Sequence, residues 1–269
     1  MKKLVLILLF IPLFSTAQRV VEDGAKLTKA DALAWLNEIY HTRFYYVNDF
    51  LNNVATTAPG NDLQATNSGT GTGTNSQTTD GTNRIGLVRS TTGTTATGRT
   101  AIATSGSAVR LAGGAWVYEN SFNITTTSNA TERYQLLIGF IDTYTAVNQV
   151  DGVYMLYDEG GASTGSTATG NWQTVTASNS TRTFNQNPGT AVAVAQGTWT
   201  TVRIEISADG TSVVFKVNGT IVGTHTTNIP TGAGRETGFG WLLMKSVGTT
   251  ARTVDFDYLS SQCAFTTAR

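Results

Sequence analysis

The chain has 269 residues, no formal net charge, and only 13% charged side chains. Nucleic acids and anionic membrane surfaces are held by clustered Lys and Arg, so this composition excludes them as partners. Two histidines and one cysteine allow no zinc-type ligand set and no internal disulfide.

In chain order, residues 1–17 read as a secretory signal peptide. Lys2 and Lys3 precede an apolar run from Leu4 to Phe14, and Ser15, Thr16 and Ala17 supply the small residues of a cleavage site. The run is short for a bilayer helix, so no stable membrane span is expected after cleavage. The location implied is secreted or extracellular. Residues 18–55 follow as a helical N-terminal segment. Thr28 with Asp31 has the form of a cap with acidic charge in the first turn. Leu33, Leu36, Tyr40, Phe44, Val47 and Leu51 recur every three or four residues and predict a helix over 28–52. So wide an apolar stripe needs covering, either by the protein's own β domain or by copies of itself in a homo-oligomer. Residues 56–83, with the stretch GTGTGTNSQTTDGTN, have Leu63 as almost the sole large apolar side chain. They read as a flexible Gly/Thr/Asn-rich linker, with a strand draped on the next domain as the alternative.

Residues 84–269 predict a β domain. Strand-like runs over 115–124, 134–142, 152–158, 171–177, 199–207, 211–219, 220–225, 238–246 and 251–259 are separated by Gly, Asn or Asp turns. No helical periodicity intervenes, which indicates an antiparallel sandwich. In the run that begins at Trp199, Val202, Ile204 and Ile206 share one face, while Thr201, Arg203 and Glu205 share the other. Period two therefore sends the aliphatics inward. Asp209-Gly210 and Asn218-Gly219 then turn two successive hairpins into a meander. Trp116, Trp199 and Trp241 fall in apolar runs and are expected in the core. Cys263 reads as a small hydrophobe at the domain edge, with an intermolecular bridge as the alternative, and His225 as a surface residue.

The segment GTWTTVRIEISADGTSVVFKVNGTIVGT and the closing KSVGTTARTVDFDYL resemble concanavalin A-like, laminin-G-like jelly rolls. With GLVRSTTGTTATGR, the domain is also similar to jelly rolls of bacteriophage structural and appendage proteins. The resemblance spans about 84–259 and implies an all-β, antiparallel two-sheet jelly-roll sandwich. It does not choose among the lectins, glycosidases and structural modules that share this fold.

The glucanases of that superfamily carry Glu-x-Asp-x-x-Glu or a close relative on one strand, because one carboxyl must donate a proton while another attacks. No Glu-x-Asp occurs in this chain. Asp255 and Asp257 are the nearest approach, and an ordinary surface pairing with Arg203 or Arg252 accounts for them. No catalytic residue is assigned. Calcium is a candidate ligand of Asp142, Asp151, Asp158 and Glu159, which crowd two loops with Asn148. Turn chemistry, in which Asp and Asn bond their own backbone, is the favoured account of the same residues. Tyr144, Tyr154, Tyr157 and Trp172 lie near these loops and together are the candidate glycan-stacking rings, with packing the favoured account of each ring taken alone. The function expected is a non-catalytic recognition or adhesion module, extracellular or virion-associated, that binds a glycan or cell-surface polysaccharide. The alternatives are a purely structural phage virion appendage and, second, a glycoside hydrolase or lyase.

Overall fold

The computed structural model describes residues 42–50, 63–71, 73–79, 84 and 86–267. The chain divides into Met1–Thr42 and Arg43–Arg269, and every described residue but Thr42 belongs to the second unit. The expected signal peptide and most of the expected helix lie outside the described residues.

The described residues of this unit form fifteen strands: β1 (Arg43–Asn48), β2 (Gln64–Ser68), β3 (Thr74–Thr78), β4 (Leu87–Thr91), β5 (Arg99–Ala103), β6 (Gly114–Ile124), β7 (Arg133–Ile141) and β8 (Gly152–Tyr157) come first. They are followed by β9 (Gln173–Ser178), β10 (Thr181–Phe184), β11 (Trp199–Ile206), β12 (Val213–Val217), β13 (Thr220–His225), β14 (Gly238–Val247) and β15 (Thr253–Phe265). One sheet runs β13-β12-β11-β6-β15-β4-β3 with β1 also on β15, and the other runs β10-β9-β8-β7-β14-β5-β2. All named strand pairs are antiparallel. The fold is a two-sheet jelly-roll sandwich of the concanavalin A-like kind. Among the described residues no helix is long and apolar enough to cross a membrane.

The main core lies between the sheets. Trp116, Tyr118 and Phe122 of β6 meet Leu136, Ile138 and Phe140 of β7, with Val202, Ile204, Phe239 and Trp241 around them. Burying each large side chain of this kind contributes about 1.5–3 kcal/mol. The predicted meander is present: Ile204 registers with Tyr118 on one side and Phe215 on the other. Asn218 and Gly219 both adopt positive φ, 48° and 80°, the conformation that a two-residue hairpin turn demands.

Three expectations are corrected. Residues 43–48, within the predicted helix, form strand β1, paired along β15 from Arg43↔Ala264 to Asn48↔Leu259. Residues 64–68 and 74–78, within the expected linker, form β2 on β5 and β3 on β4. Hydrogen bonds hold these two polar strands where apolar contacts do not. Asn75 Nδ2 donates to Asn67 Oδ1 at 3.2 Å, Ser90 Oγ donates to Asn75 Oδ1 at 2.6 Å, and Trp241 Nε1 donates to Ser90 at 3.0 Å. His225, expected at the surface, is fully buried. Cys263 is buried within the core cluster.

Candidate functional site: an aromatic cleft beside strand β1

The residues nominated from sequence are placed first. Tyr154, Tyr157 and Trp172 are buried and offer no free ring face to a sugar. Tyr157 and Trp172 belong to the main core, their rings 6.3 Å apart. Tyr154 lies at alternate parity, on the far side of its sheet, in a second apolar cluster with Leu137, Ile141, Leu156, Val175 and Leu242. Half-buried Tyr144 packs on that cluster with Val147, and its hydroxyl donates to the Thr104 carbonyl. The loop carrying them is tied to the next one by Asn148 Nδ2 donating to Thr164 Oγ1 at 3.3 Å. The four rings thus divide between two apolar clusters and share no exposed surface.

The acidic residues are engaged by their turns. Asp158 accepts from Gln135 Nε2, the Ser163 amide and Ser166 Oγ through Oδ2, and from the Ala162 amide through Oδ1. Glu159 accepts the Tyr157 hydroxyl at 2.8 Å. Asp151 accepts the Asn179 amide at 2.9 Å and pairs with Arg235 at 3.3 Å. Asp142 accepts the Asp151 amide at 3.1 Å, and burial, more than the neighbouring Asp151 charge, pushes its carboxyl upward. Among the described residues no three His, Cys, Asp or Glu side chains come together as metal ligands. Asp255 and Asp257 are separately paired. Asp255 takes a two-pronged bond from Arg89, its cross-strand partner, at 2.7 and 2.8 Å. Asp257, at a bulge in β15, pairs with Arg84. Neither meets Arg203 or Arg252 as expected; Arg203 instead joins Glu119 and Glu205.

An open cleft of about 630 Å³ lies where β1, the head of β2, β6, the end of β15 and the 104–112 loop converge. Backbone register builds its wall. Phe44 pairs with Cys263, and Cys263 pairs with Trp116, so one inward-facing row crosses β1, β15 and β6. Phe239 comes from β14 in the other sheet, and Phe265 ends β15. The ring centroids stand 5.8 Å apart for Phe44 and Trp116, 5.4 Å for Tyr46 and Phe239, and 6.4 Å for Trp116 and Phe265, within the range of favourable tilted and edge contacts. The far wall is pinned by paired backbone bonds between Val109 and Thr237 at 2.7 and 2.8 Å. Thr104 Oγ1 accepts the Phe239 amide at 3.0 Å. Exposed Gln64, Ser105 and Arg110 form the polar rim.

Trp116 lines this cleft, is only 5% exposed, and its Nε1–H has no hydrogen-bond partner. A buried indole N–H usually finds an acceptor. An aromatic wall beside a polar rim is the chemistry of a small-molecule site, and the volume fits one. None of these residues was nominated from sequence. Trp116 lies in the core as expected and also lines the cleft, whereas Phe44 falls within the expected helix. Trp199, also expected in the core, is half-buried on the outer sheet face, with the Arg84 guanidinium 4.0 Å above its ring.

The described fold aligns with that of the Shewanella oneidensis MR-1 protein of unknown function SO2946, with a TM-score of 0.61 and 15% identity over 91% of this chain and 98% of that one. It is similar to the endo-1,3-β-glucanase of Streptomyces sioyaensis, with a TM-score of 0.52 and 16% identity over 83% and 97% of the two chains. The Emp47p carbohydrate recognition domain aligns with a TM-score of 0.51 and 12% identity over 80% and 94%. At these identities the likeness establishes the shared fold. No curated protein sequence matches the chain. The family described as "SO2946-like, C-terminal domain" matches residues 83–257. That match takes in well over half of the sequence, and the chain belongs to the SO2946-like C-terminal domain family.

Proposed function

We propose that the domain is a non-catalytic glycan-recognition module whose binding site is the aromatic cleft. The observation that carries this reading is the buried, unpartnered Trp116 Nε1–H within a wall of Phe44, Tyr46, Phe239 and Phe265. A sugar presents an apolar C–H face and a ring of hydroxyls, and the cleft offers rings, a polar rim and, behind them, one unpaired donor. The fold is shared with a carbohydrate recognition domain and a glucanase, which supports the glycan class. The arginine pairing of Asp255 and Asp257 supports a role without hydrolysis, since a glycosidase needs two carboxyls free to act across one bond. The basic and apolar start of residues 1–17 supports export of the module. The virion alternative rests on sequence resemblance alone.

The test is binding of the full chain to a glycan panel, with and without calcium, with the supernatant checked for released sugars. Saturable binding without release, weakened by Gln64→Ala at unchanged thermal midpoint and also by Tyr46→Ala, is the expected result. Binding indifferent to both substitutions would overturn the assignment of the cleft, and sugar release would overturn the non-catalytic reading.

A further inference from the structure

At the start of β15 stands a buried cation with no counterion. Arg252 is 7% exposed, its Nε–H is buried without a hydrogen-bond partner, and no carboxylate among the described residues pairs with it. Its backbone is well anchored: the Arg252 amide donates to Thr92 Oγ1 at 3.0 Å, and its carbonyl accepts the Thr92 amide at 2.9 Å. The side chain is therefore held in place by its flanks and not by a partner of its own.

The acids nearby are already engaged. Glu132 takes the Lys245 ammonium at 2.6 Å and the amides of Thr249 and Thr250 at 3.0 and 3.1 Å. Glu159 accepts the Tyr157 hydroxyl. Arg252 and Glu159 both act electrostatically on the Tyr134 phenol, where burial dominates and drives it well up. Lys245, itself fully buried, shows that this end of the sandwich supplies a carboxylate to a buried cation where one is structurally required. Arg252 has been supplied none. Charges this far buried are ordinarily paired.

We infer that Arg252 is the receptor for an external oxyanion, a carboxylate, sulfate or phosphate group carried by a ligand. The planar guanidinium presents parallel N–H donors that match the paired oxygens of all three. The position is distinct from the aromatic cleft. Arg252 precedes β15, while Phe265 of the cleft ends it, and that length of strand spans about 40 Å. The inference does not depend on the cleft binding a glycan.

The experiment measures the thermal midpoint of the full chain in chloride, sulfate, phosphate and glucuronate at matched ionic strength, for the wild type, Arg252→Met and Arg252→Lys. An anion that saturates the site raises the wild-type midpoint by roughly 5–10 °C at a hundred times its dissociation constant. The rise is absent in R252M and diminished in R252K. A response to sulfate and phosphate alone assigns a tetrahedral group, and one to glucuronate alone assigns a sugar acid. In chloride, R252M melts at or above the wild type, because it loses an uncompensated buried charge. Equal midpoints of the wild type in all four salts would overturn the inference. So would an anion response retained in R252M, or an R252M midpoint several degrees below the wild type in chloride. Should R252M fail to fold, an undiminished response in R252K overturns it equally.

Discussion

His225 Nδ1 lies 2.8 Å from the Thr176 hydroxyl, a contact that joins β13 of one sheet to β9 of the other. The second ring nitrogen is 2.8 Å from Thr174 Oγ1 and accepts the Gln186 amide at 3.1 Å. The ring edge packs on Phe215, with centroids 5.0 Å apart. Burial holds the imidazole pKa down at about 4. The unfolded chain therefore binds a proton near pH 6.5 that the folded chain refuses until about pH 4. Stability from this residue is complete above about pH 6.5 and is lost as the pH falls through that window, on the order of 3 kcal/mol in all. Urea unfolding at pH 7 and pH 4.5 should show the loss, and His225→Gln should flatten it. A pH dependence in H225Q as steep as in the wild type would exclude the imidazole as its source.

Asp158 holds the 158–166 turn together by accepting four hydrogen bonds from a fully buried position. Asp158→Asn replaces acceptor capacity with an amide that must face existing donors, and costs about 2–3 kcal/mol. Denaturant midpoints should show this loss equally with calcium and with chelator. A loss confined to the calcium-loaded protein would instead make Asp158 a metal ligand.

Tyr154 was a candidate stacking ring and lies in the second apolar cluster. Its truncation tests that placement. Tyr154→Ala should destabilise the fold by about 3–5 kcal/mol, as for other large-to-small changes at buried aromatic sites. Tyr154→Phe should leave glycan affinity unchanged.

How far the architecture was legible depends on where apolar side chains alternate with polar ones. Every strand read from sequence between 115 and 259 has its counterpart among β6–β9 and β11–β15. In β11 the alternation is clean, and the parity that buries Val202 and Ile204 also sends Trp199 outward with Arg203. That parity could have removed Trp199 from the expected core. In β1 the signal fails because both faces carry large apolar groups. Phe44 and Tyr46 line the cleft, while Tyr45 and Val47 are 73% and 48% exposed. Without a polar face, period two disappears and the helical spacing of Phe44 and Val47 prevails. β2 and β3 fail for the opposite reason, since QATNS and TNSQT contain almost nothing apolar. Ladder bonds and the Asn67–Asn75–Ser90 contacts place them, and neither leaves a hydrophobic period. The cleft was illegible because its residues come from strands far apart in sequence, and only the pairing of Phe44, Cys263 and Trp116 assembles them.

Lys245, fully buried, and Glu132, partly exposed, form a pair whose two halves are not equivalent. The Lys245 ammonium also donates to the Thr250 carbonyl, and its hydrogen bond is the chief cause that brings the Glu132 carboxyl down to about 2. Glu132→Gln leaves a buried ammonium without its counterion and frees the 248–250 turn, so the thermal midpoint should fall by several degrees. Lys245→Met removes the charge that needs pairing and fills the space with an apolar chain, so its loss should be smaller. Thermal melts of the two variants at pH 7 check the order, and a larger loss in K245M would mean that the ammonium is the structural centre of the turn.

The unpartnered indole of the cleft sets the last expectation. Trp116→Phe keeps an aromatic ring against Phe44, Phe140 and Phe265 but deletes the N–H that no protein group uses. A hydrogen bond made only to ligand contributes about 0.5–1.5 kcal/mol, so glycan affinity should fall roughly 2- to 13-fold. Removing an unsatisfied buried donor recovers part of what the smaller ring loses in packing, so the stability change should remain below that of Trp116→Ala. Titration calorimetry of W116F against the glycan selected by the wild type reads the first effect, and thermal melts read the second. Unchanged affinity together with unchanged stability would mean that the indole N–H faces neither ligand nor solvent, and the ligand's polar anchor would then be sought at Gln64 and Arg110.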